Sequence, residues 1–284
     1  MRVTPTRPQG QRLSGLLAGL LIAVLLGPLA GTAEAGPTPS GDPSIEVQNR
    51  TGNHAMGVTI ALQEGGGQPG SNTPSAAAVA SVGGIDVSSY QGNVNWQAQY
   101  NAGKRFAYVK ATEGTTYRNP YFAQQYNGSY NVGMIRGAYH FARPDRSSGA
   151  NQASFFVRNG GGWSADGKTL PGALDMEYNP YGSTCYGKSK SSMTSWIRDF
   201  HNTYFSMTGR YPVIYTSTSW WNLCVGSGHG FGATVPLWVA RYASTVGTLP
   251  SGWSYYTFWQ YTSTPIDQNK FNGAYDRLVA LAMG

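Results

Sequence analysis

Eight apolar or β-branched runs beyond Gly84 predict an α/β fold: an irregular TIM-like β/α barrel of about eight strands, helix-poor in its second half. Two further observations support this. Segments with helical spacing separate the first five runs, and repeated βα units build a parallel sheet. Eight such strands suffice to close a barrel. The last runs follow one another too closely to carry full crossover helices.

The strands are read from apolar runs and alternation. The first four are "GIDVSSY" from Gly84, "FAYVKATEG" from Phe106, "MIRGAYHFA" from Met134 and "GALDMEY" from Gly172. "YPVIYTS" from Tyr211, "PLWVARY" from Pro236, "YTFWQYT" from Tyr256 and a short "PID" from Pro265 complete the set. "NWQAQYNAG", "NPYFAQQYNGSYNVG", "SGANQASFFVRNGG" and "SKSSMTSWIRDFHNTYFSMTG" supply the intervening helices. The fourth carries the clearest signals. Serines offer caps, Met193, Trp196, Ile197, Phe200 and Tyr204 recur at helical spacing, and Gly209 ends it.

Ahead of this domain, placed at 84–284, lie two other segments. Arg2, Arg7 and Arg12 precede the apolar run "LLAGLLIAVLLGPLAG", and "AEA" then offers small residues for cleavage near Ala35. That order predicts a signal peptide over 1–35 and a secreted, extracellular protein. A membrane anchor is the rival reading, but the run is short and broken by Gly and Pro, so no membrane contact is expected of the mature form. Residues 36–83 contain no Phe, Tyr or Trp and are rich in Gly, Pro, Ser, Thr and Ala. They read as a propeptide or flexible linker, with "MGVTIALQ" as one lone strand.

The formal net charge of +7 suits an anionic partner such as a cell wall. The chain lacks a basic run, a helix-turn-helix pattern and zinc-ligand spacing, which argues against nucleic acid. Its two cysteines, Cys185 and Cys224, are expected to form one disulfide in an oxidising compartment. A catalytic Cys would leave the other thiol exposed outside the cell. "GSGHGFG" lacks the Lys of a phosphate loop, and Gly-x-Ser-x-Gly does not occur. His140 reads as a hydrogen-bonded barrel residue rather than a ligand. No cofactor and no metal are expected.

In such barrels chemistry sits at the carboxyl ends of the strands. Those ends carry Asp86, Lys110, Glu113, Tyr139 or His140, Asp175, Glu177, Tyr215, Trp238, Arg241, Gln260 and Asp267. The stretch "GALDMEYNP" stands out, because two carboxylates end an apolar run in a chain that is only 12% charged. Residues two apart on a strand share a face, about 6–7 Å apart. Mutual repulsion and burial then push their pKa values apart. Glycosidic cleavage needs that asymmetry: one acid protonates the leaving oxygen while the other stays ionised. The spacing exceeds the ~5–5.5 Å of direct double displacement. It suits an inverting enzyme, or attack by the substrate's own 2-acetamido group with Glu177 as acid/base and Asp175 orienting the acetamide.

"GIDVSSYQGNVNW", "FAYVKATEGTTYRNPYF", "GAYHFARP", "LDMEYN", "WVARY" and "FWQYT…IDQNKFNG" occur in order across Ile85 to Gly284. Together they resemble glycoside hydrolase family 25, the Chalaropsis-type lysozymes, and among these the cellosyl-like muramidases of actinomycetes. The resemblance implies hydrolysis of the β-1,4 bond between N-acetylmuramic acid and N-acetylglucosamine in peptidoglycan, O-acetylated muramic acid included, by a monomer acting on glycan strands. It matches Glu177 to the acid/base, Asp175 to its partner, and Asp86 and Asp267 to further cleft carboxylates, with Asp86 a rival partner. Lys110, Tyr139, Tyr215, Arg241 and Gln260 match substrate-binding positions. Two alternatives stay open: an endo-N-acetylglucosaminidase or chitinase-like hydrolase, and a wall-binding protein without catalysis.

Overall fold

A computed structural model describes residues 52–65 and 80–284; the predicted signal peptide lies outside the described residues. Eight strands close a mixed barrel: β1 (Val82–Val87), β2 (Phe106–Glu113), β4 (Ile135–Phe141), β5 (Ala173–Asp175), β6 (Val213–Ser217), β7 (Leu237–Ala240), β8 (Phe258–Thr262) and β9 (Gln268–Phe271). A two-residue β3 (Tyr117–Arg118) hooks back onto β2. β1 pairs with both β2 and β9, which shuts the ring.

Neighbours from β1 through β2 to β8 run parallel, whereas β9 is antiparallel to both β8 and β1. This corrects the expected eighth strand. "PID" is not a strand but the approach to one that begins at Gln268. Because β9 runs the opposite way, its start sits level with the carboxyl ends of the others. Asp267 therefore still reaches the active face, with Ile85 opposite Gln268 in register.

Four expected helices are present between the early strands: α2 (Trp96–Asn101), α3 (Phe122–Asn131), α4 (Gly149–Phe156) and α5 (Lys190–Thr208). In α5 the Ser189 side chain accepts from the Ser192 amide, and Gly209 at φ 74° ends the helix. Its buried face of Met193, Trp196, Ile197, Phe200 and Tyr204 packs on the outer layer with α4. The second half carries the short α6 (Thr218–Cys224) after β6 and α7 (Tyr275–Met283) after β9. The disulfide Cys185–Cys224 ties the loop after β5 to the end of α6. Among the described residues no helix is long and apolar enough to cross a membrane.

Strand alternation sorts the side chains into two layers. Ile85, Val87, Ala107 and Val109 face the outer helices, as do Leu174, Ile214, Leu237 and Val239. Phe106, Tyr108, Tyr139, Ala173, Tyr215, Trp238, Phe258 and Phe271 fill the barrel. Gly137 makes room there, since a Cβ would stand 2.4 Å from the Tyr108 ring. The next inward positions along these strands are Asp86, Lys110, Asp175 and Gln260. Thus the same alternation that fills the barrel with rings crowns it with polar groups.

Candidate active site

Asp175 ends β5 and Glu177 follows in the loop; both are buried. Burial pushes the Asp175 carboxyl well above the usual carboxylate range, and the neighbouring Glu177 charge adds to this. Neither Asp175 oxygen has a hydrogen-bond partner among the described residues. Glu177 is raised to about 7 by burial, against the pull of donors that favour its charged form. Those donors are the Gly57 amide (2.8 Å to Oε1), the Thr59 amide (3.0 Å to Oε2), the Ile60 amide (3.3 Å) and the Thr59 hydroxyl.

Asp86, from β1, forms the second acidic group. Its Oδ2 accepts from Asn269 Nδ2 at 2.7 Å and from Gln260 Nε2 at 2.9 Å. Its amide points to the Asp267 carbonyl at 3.4 Å, and the two carboxyl groups are hydrogen-bonded. Burial raises Asp86 to about 7 in spite of these bonds. Gln260 Oε1 in turn accepts from Tyr215 Oη at 2.6 Å and Tyr242 Oη at 2.8 Å. One chain of bonds thus connects Tyr215, Gln260 and Asp86.

Opposite lies a buried ion pair. Lys110 Nζ stands 2.6 Å from Glu113 Oε2. Burial alone would raise Glu113, but the Lys110 ammonium and hydrogen bonding from His54 outweigh it and hold the carboxyl at about 2. Tyr181 Oη donates to Glu113 Oε1 at 2.8 Å, and the Arg143 guanidinium lies 3.6 Å over the Tyr181 ring. His140 is the expected barrel histidine. It bonds Thr112 Oγ1 and Gln152 Oε1, and burial lowers it to about 4.

The fold therefore gathers Asp86, Lys110, Glu113, Tyr139, Asp175, Glu177, Tyr215, Gln260 and Asp267. Two predicted residues do not join them as expected. Trp238 lies beneath, fully buried in the barrel packing against Tyr108 and Tyr215, with Nε1 donating to Asn269 Oδ1. It supports the Asp86 partner rather than walling a cleft. Arg241 is exposed, its guanidinium beside Gly247. Among the described residues no group of three His, Cys, Asp or Glu is placed to hold a metal ion.

Tyr178, Tyr181, Tyr242 and Asn269 were not singled out from the sequence. The three tyrosines sit just past strand ends, at Asp175, Asp175 and Ala240, so a window two to six residues longer would have included them. The larger surprise is the segment before the barrel. "MGVTIALQ" is no strand: α1 (Val58–Glu64) is a helix, and residues 53–60 are buried. Met56 and Ile60 join the barrel-interior packing with Tyr139 and Tyr215. The apolar pair at i and i+4 was a helical signal that the Val-Thr-Ile alternation masked.

Comparison with known proteins places this geometry. The model of glycosyl hydrolases family 25 matches residues 85–269. Lysozyme M1 of Streptomyces globisporus is 47% identical over 97% of this chain and 95% of its own. The N,O-diacetylmuramidase of a Chalaropsis species is 49% identical over 72% of this chain and 100% of its own. Among solved structures, the muramidase from Acremonium alcalophilum is 56% identical, with a TM-score of 0.70 over 72% of this chain and 99% of that one.

Proposed function

The chain belongs to glycosyl hydrolases family 25 and is a peptidoglycan-cleaving muramidase; on that premise we propose that Glu177 is its acid/base and Asp175 the partner carboxylate. The bond cut is the β-1,4 link from N-acetylmuramic acid to N-acetylglucosamine. The observation that carries the assignment is the placement of the pair: Asp175 ends β5 and Glu177 follows two residues on, both buried at the active face, where burial raises both carboxyls above the ordinary range and Glu177, at about 7, can carry a proton near neutrality.

In the first step the Glu177 proton passes to the glycosidic oxygen as the bond from that oxygen to the anomeric carbon breaks. The acetamido oxygen of the same sugar closes onto that carbon, while Asp175 accepts from the acetamide N–H and offsets the developing charge. Glu177, now ionised, takes a proton from water, which attacks the anomeric carbon and opens the ring. Asp175 suits the partner role better than Asp86. Both oxygens of Asp175 are uncommitted among the described residues, whereas Asp86 has only Oδ1 so, its Oδ2 being held by Asn269 and Gln260.

Lys110, Glu113, Tyr139, Tyr215, Gln260, Asp86 and Asp267 bind substrate around this pair. The enzyme is exported, with its leader removed near Ala35, and acts as a monomer on bacterial wall. O-acetylated muramic acid is within its range, as the name of the Chalaropsis relative supports. Digesting peptidoglycan, reducing the products with borohydride and identifying the modified sugar tests the reading. Muramitol is expected. Glucosaminitol would transfer the chemistry to the other bond, and no new reducing ends would leave a wall-binding protein.

A further inference from the structure

The buried segment ahead of the barrel has no part in the chemistry above, yet it bonds to Lys110, Glu113, Tyr139 and Glu177 of the site. Asn53 Oδ1 lies 3.2 Å from Lys110 Nζ, and the His54 carbonyl accepts from the same ammonium at 2.5 Å. The His54 amide donates to Glu113 Oε2 at 2.8 Å. The Met56 amide meets Tyr139 Oη at 3.2 Å, and Tyr242 Oη donates to the Gly57 carbonyl at 3.1 Å. The first turn of α1 closes on Glu177 through three amides and the Thr59 hydroxyl. At the last residue of the helix, Tyr178 Oη and Ser217 Oγ both donate to Glu64 Oε1.

Met56 and Ile60, each 1% exposed, sit in the barrel mouth, and Glu177 and Asp86 are 0% exposed beneath them. A glycan strand has no route to the carboxylates while this segment is in place. Gly57 marks the tightest point of the fit. It adopts φ 81°, and a Cβ there would stand 2.1 Å from Tyr242 Oη and 2.6 Å from Tyr215 Oη.

From this we infer that residues 53–64 are an inhibitory plug: the chain is made as a latent enzyme whose own segment occupies the substrate cleft, and activity follows when that segment is expelled or cut away. The inference rests on the reading of Glu177 as acid/base.

The plug occupies the catalytic carboxyl as well as the cleft. The Gly57 amide takes Oε1 of Glu177, and the Thr59 amide, Thr59 hydroxyl and Ile60 amide take Oε2, so neither oxygen is free to meet a glycosidic oxygen. Covalent connection strengthens the block, since a tethered ligand reaches effective concentrations on the order of mM. Residues 66–79, between plug and barrel in the sequence, consist largely of Gly, Ser, Pro and Ala. A cut in that stretch would turn a tethered inhibitor into a dissociable peptide.

The experiment compares the secreted chain with two variants that expel the plug, Gly57→Trp and the double variant Met56→Asp/Ile60→Asp. Wall lysis is measured alongside amide hydrogen exchange. Both variants are expected to lyse walls at least tenfold faster than the parent, and a synthetic peptide of residues 52–65 should slow them again. In the parent the Gly57, Thr59 and Ile60 amides should exchange at least a hundredfold more slowly than in either variant. Equal lysis by all three chains would overturn the plug. If none of them lyses walls, the muramidase reading fails instead, and exchange decides the plug alone: unprotected amides in the parent would overturn it.

Discussion

Glu113 and Glu177 are two buried glutamates on one barrel face, and their surroundings drive them in opposite directions. Glu113 has a cation at 2.6 Å and is held at about 2; Glu177 pairs with no cation among the described residues and is raised to about 7. The desolvation is common to both, so the difference comes from Lys110 first and from His54 beside it. One strand, β2, places Lys110 and Glu113 three residues apart and lets them neutralise each other. Another, β5, ends in a second carboxylate instead, and repulsion keeps a proton in the pair. Burial alone therefore does not make an acid catalyst. The partner decides whether a buried glutamate becomes a fixed charge or a proton carrier.

Removing each side chain in turn should expose that difference, and chains with the plug expelled keep inhibition from masking it. Glu177→Gln should lower the lysis rate by about 10³–10⁴-fold, in the range for loss of a general acid, while the protein still pellets with walls. Glu113→Gln should act on stability first. It strands the Lys110 ammonium in the barrel, a loss of ~3–5 kcal/mol for breaking a buried pair, read by urea denaturation. Replacing both partners together, as Lys110→Met with Glu113→Leu, should be much milder. Asp175→Asn should cost roughly 10²-fold in rate. If Asp86→Asn costs far more than Asp175→Asn, the partner carboxylate is Asp86.

The smallest effect is on the pH dependence of stability. Glu113 has a depressed folded pKa, so its contribution is present above its ordinary value and is lost as pH falls from about 4.5 towards 2. Asp86 and Glu177 have raised values. Their contribution is present below the ordinary range and is lost as pH rises through about 7. Thermal midpoints should therefore peak near pH 4–5 and fall on both sides. Asp86→Asn should flatten the neutral limb without touching the acid one.

Much of this site was legible in the sequence. Strand alternation carries Asp86, Lys110, Asp175 and Gln260 to one face because inward positions below them are filled by rings. The apolar lead into Asp175 announced a buried carboxylate. Direction and context were harder to read. A short run says nothing about whether a strand is antiparallel, so Asp267 was placed at the end of a strand it in fact precedes. Trp238 shares the inward parity of the site residues, but parity does not tell how deep a residue sits. The plug escaped because its composition, with no Phe, Tyr or Trp, cannot build a core of its own. Its burial depends on a cavity made by residues far along the chain, information that no local window contains.

The central claim, that partner chemistry sets these two glutamates apart, can be read directly from side-chain carboxyl carbons by NMR titration of the intact chain. The account predicts that Glu177 titrates near 7 and its neighbour Asp175 well above the usual carboxylate range, while Glu113 stays ionised to about pH 2. Two glutamates titrating together near 4.5, or the reverse order, would contradict it.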